Sequence, residues 1–360
     1  MISSKTFDAF LALVRIGIGH ENYSLPKDVD WTAVKVLADA QVLSAVVLDG
    51  LNAVSCEGLK AIPKKLRLEW IGEVLQNYEQ RYKAYVKAIG ILARWYNQHG
   101  FKMMVLKGFA CSTDWPKSQR RPAGDIDIWL FGKQKEADNV LKKQGIVIDN
   151  SHHHHTVFEW KGFSVENHYD FVNVHTRSSS AELELIFKQL GLDDRYCTEV
   201  NGERVYLPSP NLHALFLIRH MVSHFAAANI TLRQVLDWAF LVKRHSDEID
   251  WKWLMGVLHQ YHMSEFFDCI NGICVDDLGF DSALFKCGIQ YNPTLKVRIL
   301  NDILSPAYTK NAPHSLFPRL LYKYRRWQGN AWKQRLCYSE SRFTTFFIGL
   351  WAHLMKPASI

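Results

Sequence analysis

The sequence predicts an α+β protein, with a compact α/β unit held between two helical segments. Three observations carry that expectation. Residues 1–97 and 201–360 place apolar side chains at spacings of three and four, the period of amphipathic helices. Residues 98–200 instead break into short apolar runs separated by Gly and Pro. The chain has 360 residues, 48% of them hydrophobic and 22% charged, enough for two or three domains of ordinary globular composition. The expected divisions are therefore 1–97, 98–200 and 201–360.

Each element follows from local signals. In the first segment Asp30 is the expected N-cap of the helical run that begins at Trp31. "KKLRLEWIGEVLQNYEQRYKAYVKAIGILARWYNQHG" reads as one long amphipathic helix closed at Gly100. The middle segment opens with the strand-like "FKMMVLKG", two helical turns in "FACSTDW" and the polar loop "PKSQRRPAG". A second strand, "DIDIWLF", precedes the helix "KQKEADNVLKKQG", closed by Gly145. After the short run "IVID", the stretches "TVFEWKG" and "FSVENHYDF" read as strands paired around a Lys-Gly turn. The helical period returns at "SPNLHALFLIRHMVSHF", where Ser209 and Pro210 supply a cap and first turn. Further helices follow, with no internal repeat.

Charge and cysteine usage narrow the function classes. Net charge is +7, but it is concentrated: seven basic residues between Pro318 and Arg342 face Glu340 alone, and Lys356 adds one more. The rest of the chain is near neutral, which argues against binding a polyanion over the whole surface. Seven cysteines, an odd count with no C-x-x-C, argue against a disulfide framework or a cysteine zinc site. The N-terminal "MISSKTFDAFLALVRIGIG" is interrupted by Asp8 and Arg15, so it reads as an amphipathic helix and not a signal peptide. "FTTFFIGLWAHLM" near the C-terminus falls short of the ~20 residues a membrane span needs. The expectation is a soluble, cytoplasmic protein.

One stretch sets the chemical problem. Asp125 and Asp127 put two carboxylates on one face of an otherwise apolar strand, and burying such a pair without a counter-charge is costly. A later strand carries Glu166. If the two strands are neighbours, three acids converge, and a divalent cation, Mg²⁺ or Mn²⁺, resolves them. Lys107-Gly108 ends the strand upstream. The glycine lets backbone approach a phosphate chain, and Lys107 with Arg121 offsets its charge.

This ordered set resembles the DNA polymerase beta-like nucleotidyltransferase superfamily. Within it, the chain is similar to a bacterial family of uncharacterised nucleotidyltransferases. The resemblance runs through Leu106-Lys107-Gly108, Arg121, Asp125-Ile126-Asp127, Val165-Glu166-Asn167-His168, and a helix with His220, His224, Arg233 and Asp237. It implies an α/β core with a mixed sheet, flanked by N-terminal and C-terminal helical segments. It implies Asp125 and Asp127 as metal ligands and Glu166 as the third acid, which helps deprotonate the attacking hydroxyl. It further implies Lys107, Gly108, Arg121 and His168 at the nucleotide, and the His220–Asp237 helices beside the cleft. The superfamily has Gly-Ser or Gly-Gly at the strand end and a shorter gap to the Asp pair. Here Phe109 follows Gly108, and 17 positions separate Gly108 from Asp125.

Plainer readings stand beside these. Asp125 and Asp127 can instead pair with Arg120 and Arg121. Glu159 and Asp170 compete with Glu166. His152–His155 reads as a loop with one or two functional imidazoles, since four consecutive residues cannot all face one ion in a regular strand. His220 and His224 share a helix face, as zinc ligands or as a packed pair. Arg233 and Asp237 form, most simply, an i, i+4 salt bridge. The basic, aromatic stretch 318–342 reads as a terminal helix pair, with nucleic acid or anionic membrane as less favoured partners. The expected function is transfer of a nucleoside monophosphate from an NTP to an acceptor hydroxyl with release of pyrophosphate. The acceptor, whether small molecule, saccharide, peptide or protein, is open. The alternatives are a weak or inactive relative that binds a partner through its C-terminus, and a small-molecule phosphotransferase.

Overall fold

The protein is described by a computed structural model covering residues 4–20, 24–54, 62–175, 177–308 and 315–341. The apolar run 343–355 and Lys356 lie outside the described residues. The first helices are α1 (Ser4–Gly17), α2 (Trp31–Ala40) and α3 (Ser44–Ala53). Asp30 caps α2 by accepting the Ala33 N–H at 3.0 Å. The expected long helix forms as α4 (Lys64–Val74), a π-helical turn (Leu75–Gln80) and α5 (Arg81–Gln98). Gly100 ends it at φ +76°, a conformation that glycine adopts without a Cβ clash.

The α/β unit comprises β1 (Met104–Val105), α6 (Lys107–Asp114), β2 (Ile126–Trp129), α7 (Gln134–Lys143), β3 (His155–Trp160), β4 (Phe163–His168) and α8 (Ser178–Gly191). The run "IVID" contributes one isolated bridge, Asp149 to Val157, and no strand. Lys161 and Gly162, both at positive φ, make the tight turn between β3 and β4. A hairpin that the sequence reading passed over, β5 (Cys197–Val200) and β6 (Glu203–Tyr206), completes a six-stranded mixed sheet in the order β3-β4-β2-β1-β6-β5. The α+β class is the one observed. Helices α9 (Pro210–Ala227), α10 (Leu232–His245), α11 (Trp251–Gln260), α12 (Ser264–Gly272), α13 (Pro293–Leu304), α14 (Leu316–Gly329) and α15 (Ala331–Cys337) follow. Ser209 caps α9 with Pro210 in its first turn.

Strand alternation decides which face of the sheet carries chemistry. Ile126, Ile128 and Val165 join Tyr85, Ile89 and Leu92 of α5 and Leu141 of α7 in one apolar layer. Met104, Leu106 and Trp129 point the other way, into a larger core built from α1–α3 and α9–α13. Asp127 alternates with Ile126 and Ile128, so it faces the second side. No helix among the described residues is long and apolar enough to cross a membrane.

The chain leaving β4 is held by Glu184 of α8. Its carboxylate accepts the Phe171 N–H at 3.1 Å and the Val172 N–H at 3.0 Å. Burial nonetheless outweighs these bonds and raises its pKa from 4.5 to about 7. Between those values the folded state binds the extra proton, so stability falls as pH rises through that window. The unfolding free energy from urea melts should therefore decline from about pH 5 to about pH 7, by up to about 1.4 kcal/mol per pH unit. Glu184→Gln should flatten that slope. An equal slope in both proteins would refute the assignment.

Candidate active site

The parallel pairing of β2 and β4 sets Asp127 directly against Glu166 and Trp129 against His168. The third acid is thus the neighbour of the Asp strand. Glu159 lies on β3, exposed, and Asp170 is occupied by Lys188 at 2.6 Å. Asp127 is only 6% exposed, Glu166 is half-buried, and Asp125 is exposed at the strand entry.

The charges here are tightly coupled. Lys107 Nζ lies 2.6 Å from Asp127 Oδ1, and His168 Nε2 lies 3.1 Å from the same oxygen and 3.5 Å from Glu166 Oε2. Burial alone would raise the Asp127 pKa, but Lys107 and His168 outweigh it and hold the carboxyl well below its usual range. Asp125 moves the opposite way. Burial comes first, then the like charges of Glu166 and Asp127, and together they raise its pKa against the pull of Lys107 and Arg81. A cation beside these carboxylates would pull it back down.

His168 sharpens the point. Its Nδ1 sits 3.3 Å from the Asp170 carbonyl while Nε2 faces the two carboxylates. Neither neutral tautomer satisfies both neighbours, since each leaves a bare nitrogen against oxygen. The charged imidazolium does. Despite burial, hydrogen bonds to Asp127 and Glu166 accordingly raise its pKa. A cation between Nε2 and the carboxylates would do the same for the neutral ring. Asp127, Glu166 and His168 bring one ligand atom each within 4.8 Å of one another, a donor set that fits a divalent ion.

These residues open onto a cavity of about 760 Å³ between the sheet and helices α9 and α10. Lys107, Gly108, Arg121, Asp125, Asp127, Glu166, His168, His220, His224, Arg233 and Asp237 all line it. Their bonding differs from the expectations in several places. Arg120 is paired with Asp49 of α3 and with Glu79, so neither loop arginine faces the Asp pair. Arg121 is buried and bidentate with Asp237, Nε–Oδ1 2.7 Å and Nη2–Oδ2 3.0 Å. The same carboxylate accepts Trp115 Nε1–H at 2.9 Å. The i, i+4 bridge expected between Arg233 and Asp237 is replaced by this longer-range pair, and Arg233 Nε is buried without a hydrogen-bond partner. The reason is geometric: Asp237 points inward at the loop before β2, where a planar guanidinium can take both its oxygens.

Gly108 also has a structural duty. A Cβ there would collide with the Tyr85 hydroxyl, which donates to the Asp125 carbonyl at 2.9 Å. His220 and His224 lie with ring centroids 4.2 Å apart and their planes tilted by 52°, and neither belongs to a group of three ligands among the described residues. His154 and His155 do: with His168 they place three ring nitrogens within 4.8 Å. Burial lowers their pKa values to about 2 and about 3, so both are neutral.

A family model described as "Uncharacterised nucleotidyltransferase" matches residues 27–276. The chain belongs to this family of nucleotidyltransferases. Among solved structures, an antigenic nucleotidyltransferase-like protein from Paracoccidioides brasiliensis is similar at 13% identity and a TM-score of 0.37. The match covers 58% of this chain and 94% of that one. No curated protein matches. The cavity also includes residues that the sequence reading missed. Arg177 and Arg219 flank the Tyr338 ring, at 3.5 Å and 5.2 Å from its centroid, and Arg219 Nη1 donates to the Tyr338 hydroxyl at 2.7 Å. A signal was present: Arg219 is the lone arginine inside the apolar run "LHALFLIRHMV".

Two substitutions test this construction. Asp237→Asn should destabilise the fold by about 3–5 kcal/mol in urea melts, because it strands a buried guanidinium. A loss below about 1 kcal/mol would mean Arg121 has another partner. Gly108→Ala should cost about 1–3 kcal/mol by overpacking. Adding Tyr85→Phe should recover part of it, and no recovery would refute the hydroxyl clash.

Proposed function

We propose that the protein transfers a nucleoside monophosphate from an NTP to an acceptor hydroxyl, releasing pyrophosphate, with a divalent metal at Asp125, Asp127 and Glu166. What supports the reading most is the in-register pairing of Asp127 with Glu166, with Asp125 at the head of the same strand. A bound Mg²⁺ or Mn²⁺ would supply Lewis-acid polarisation of the phosphates. The chain's own groups do the rest. Lys107 exchanges its partner Asp127 for triphosphate oxygens, keeping its charge inside the cavity. Glu166, with no positive group among the described residues closer than His168 at 3.5 Å, orients the acceptor hydroxyl and takes its proton as the oxygen bonds to the α-phosphorus. The bond from that phosphorus to the β-phosphate oxygen breaks, and pyrophosphate leaves.

Arg121 acts differently from a free phosphate ligand in this proposal. Its guanidinium is already held by Asp237, so it fixes the loop that leads into Asp125. His168 orients Asp127 and Glu166 from one side. Arg177 and Arg219 lie on the cavity wall formed by α8 and α9, and suit an anionic group on the acceptor or the leaving pyrophosphate.

Isothermal titration with the four NTPs, with and without Mg²⁺, tests the proposal. At least one NTP should bind only with the metal, and Asp125→Asn/Asp127→Asn should weaken it by about 10²-fold or more. Equal binding by wild type and variant would remove the basis for the enzyme. The mass of the acceptor adduct, a nucleoside monophosphate against a bare phosphate, separates nucleotidyl transfer from phosphotransfer.

A further inference from the structure

His154, His155 and His168 form a second cluster that nucleotidyl transfer does not require. His155 and His168 sit opposite each other on antiparallel β3 and β4, 6% and 2% exposed. His154 occupies the bend just before β3, outside the strand's alternation, so its ring can turn to the same side as that of His155. Its carbonyl accepts the N–H groups of Tyr169 and Asp170 at 3.0 and 3.1 Å, which pins it beside the end of β4. The three rings lie with centroids 4.3 to 5.6 Å apart. Nδ1 of His154 and Nδ1 of His155 are both buried without a hydrogen-bond partner.

Converging buried imidazoles, two of them with an unpartnered nitrogen, are expensive as plain packing. Four-coordinate zinc holds nitrogen ligands at about 2.0–2.1 Å, so ligand atoms lying within 4.8 Å of one another need only a small inward shift. Imidazole nitrogen also selects among metals. It suits zinc and its transition-series neighbours, whereas carboxylate and water oxygen suit Mg²⁺.

We propose that His154, His155 and His168 form a three-imidazole site for a nitrogen-preferring divalent cation of the Zn²⁺ class, beside the carboxylates; the ion displaces the His168 proton, and His168 serves one ion at a time. All three residues line the cavity. The fourth coordination position therefore opens to it and accepts water or an anionic oxygen of a bound ligand. The site stands on the β3–β4 geometry and holds whether or not the protein transfers nucleotides.

Metal-free protein titrated with Zn²⁺, and separately with Co²⁺, in excess Mg²⁺ tests it. One equivalent should bind per chain. His154→Ala and His155→Ala should each weaken binding by at least about 10-fold. Melting curves in EDTA should match wild type, and if a variant unfolds, zinc K-edge absorption of wild type decides instead. That spectrum should fit about three imidazoles. Absence of stoichiometric binding, affinity unchanged in both variants, or a zinc shell without imidazole would overturn the site. Mg²⁺–NTP titration of wild type is read separately. NTP failing to bind while zinc binds would defeat the nucleotidyl reading and leave this one standing.

Discussion

Two acids face each other across adjacent parallel strands, and much of the molecule is arranged around that repulsion. Asp127 and Glu166 are rung partners, so neither can move away without slipping β2 against β4. A one-residue slip would turn Ile126 and Ile128 out of their apolar layer. The hydrophobic alternation therefore locks the electrostatics in place. Lys107 and His168 are responses to that fixed arrangement.

The second constraint is the Arg121–Asp237 pair. It joins the loop before β2 to α10 across 116 positions of sequence, with both partners nearly inaccessible. Such a pair adds little net stability, but breaking it is severe. Its value here is positional. Trp115 binds the same carboxylate, so three segments meet at one side chain and define the cavity wall opposite the sheet.

Much of this was legible in the sequence, for identifiable reasons. The helices at Trp31, Lys64 and Pro210 carried their caps or apolar period, and β2 and β4 carried alternation with acids in the polar slots. Asp127 and Glu166 could be grouped because two strand patterns bore carboxylates, and the β2–β4 pairing makes them neighbours. The hairpin at Asn201-Gly202 was missed although that dipeptide is a strong turn signal, because its flanking strands are only four residues each and largely polar. The partner of Asp237 was beyond reach for another reason. Local spacing offered Arg233, and only the tertiary fold brings Arg121 closer. The histidine run was read as a loop, and His152–His154 do lie in a bend ahead of β3, but nothing local told which of the four rings turn toward His168.

The grip of Asp49 on the loop before β2 has a wider meaning. Asp49 belongs to α3, yet it holds both Lys117 and Arg120, while Glu79 of the π-helical turn takes the other side of Arg120. The early helices are thus a brace for the segment that delivers Asp125. An excised fragment starting near residue 98 would inherit the sheet but lose its scaffolding. Portability of the sheet-bearing segment, as in chimeras or minimal fragments, would have to carry the brace along or replace it.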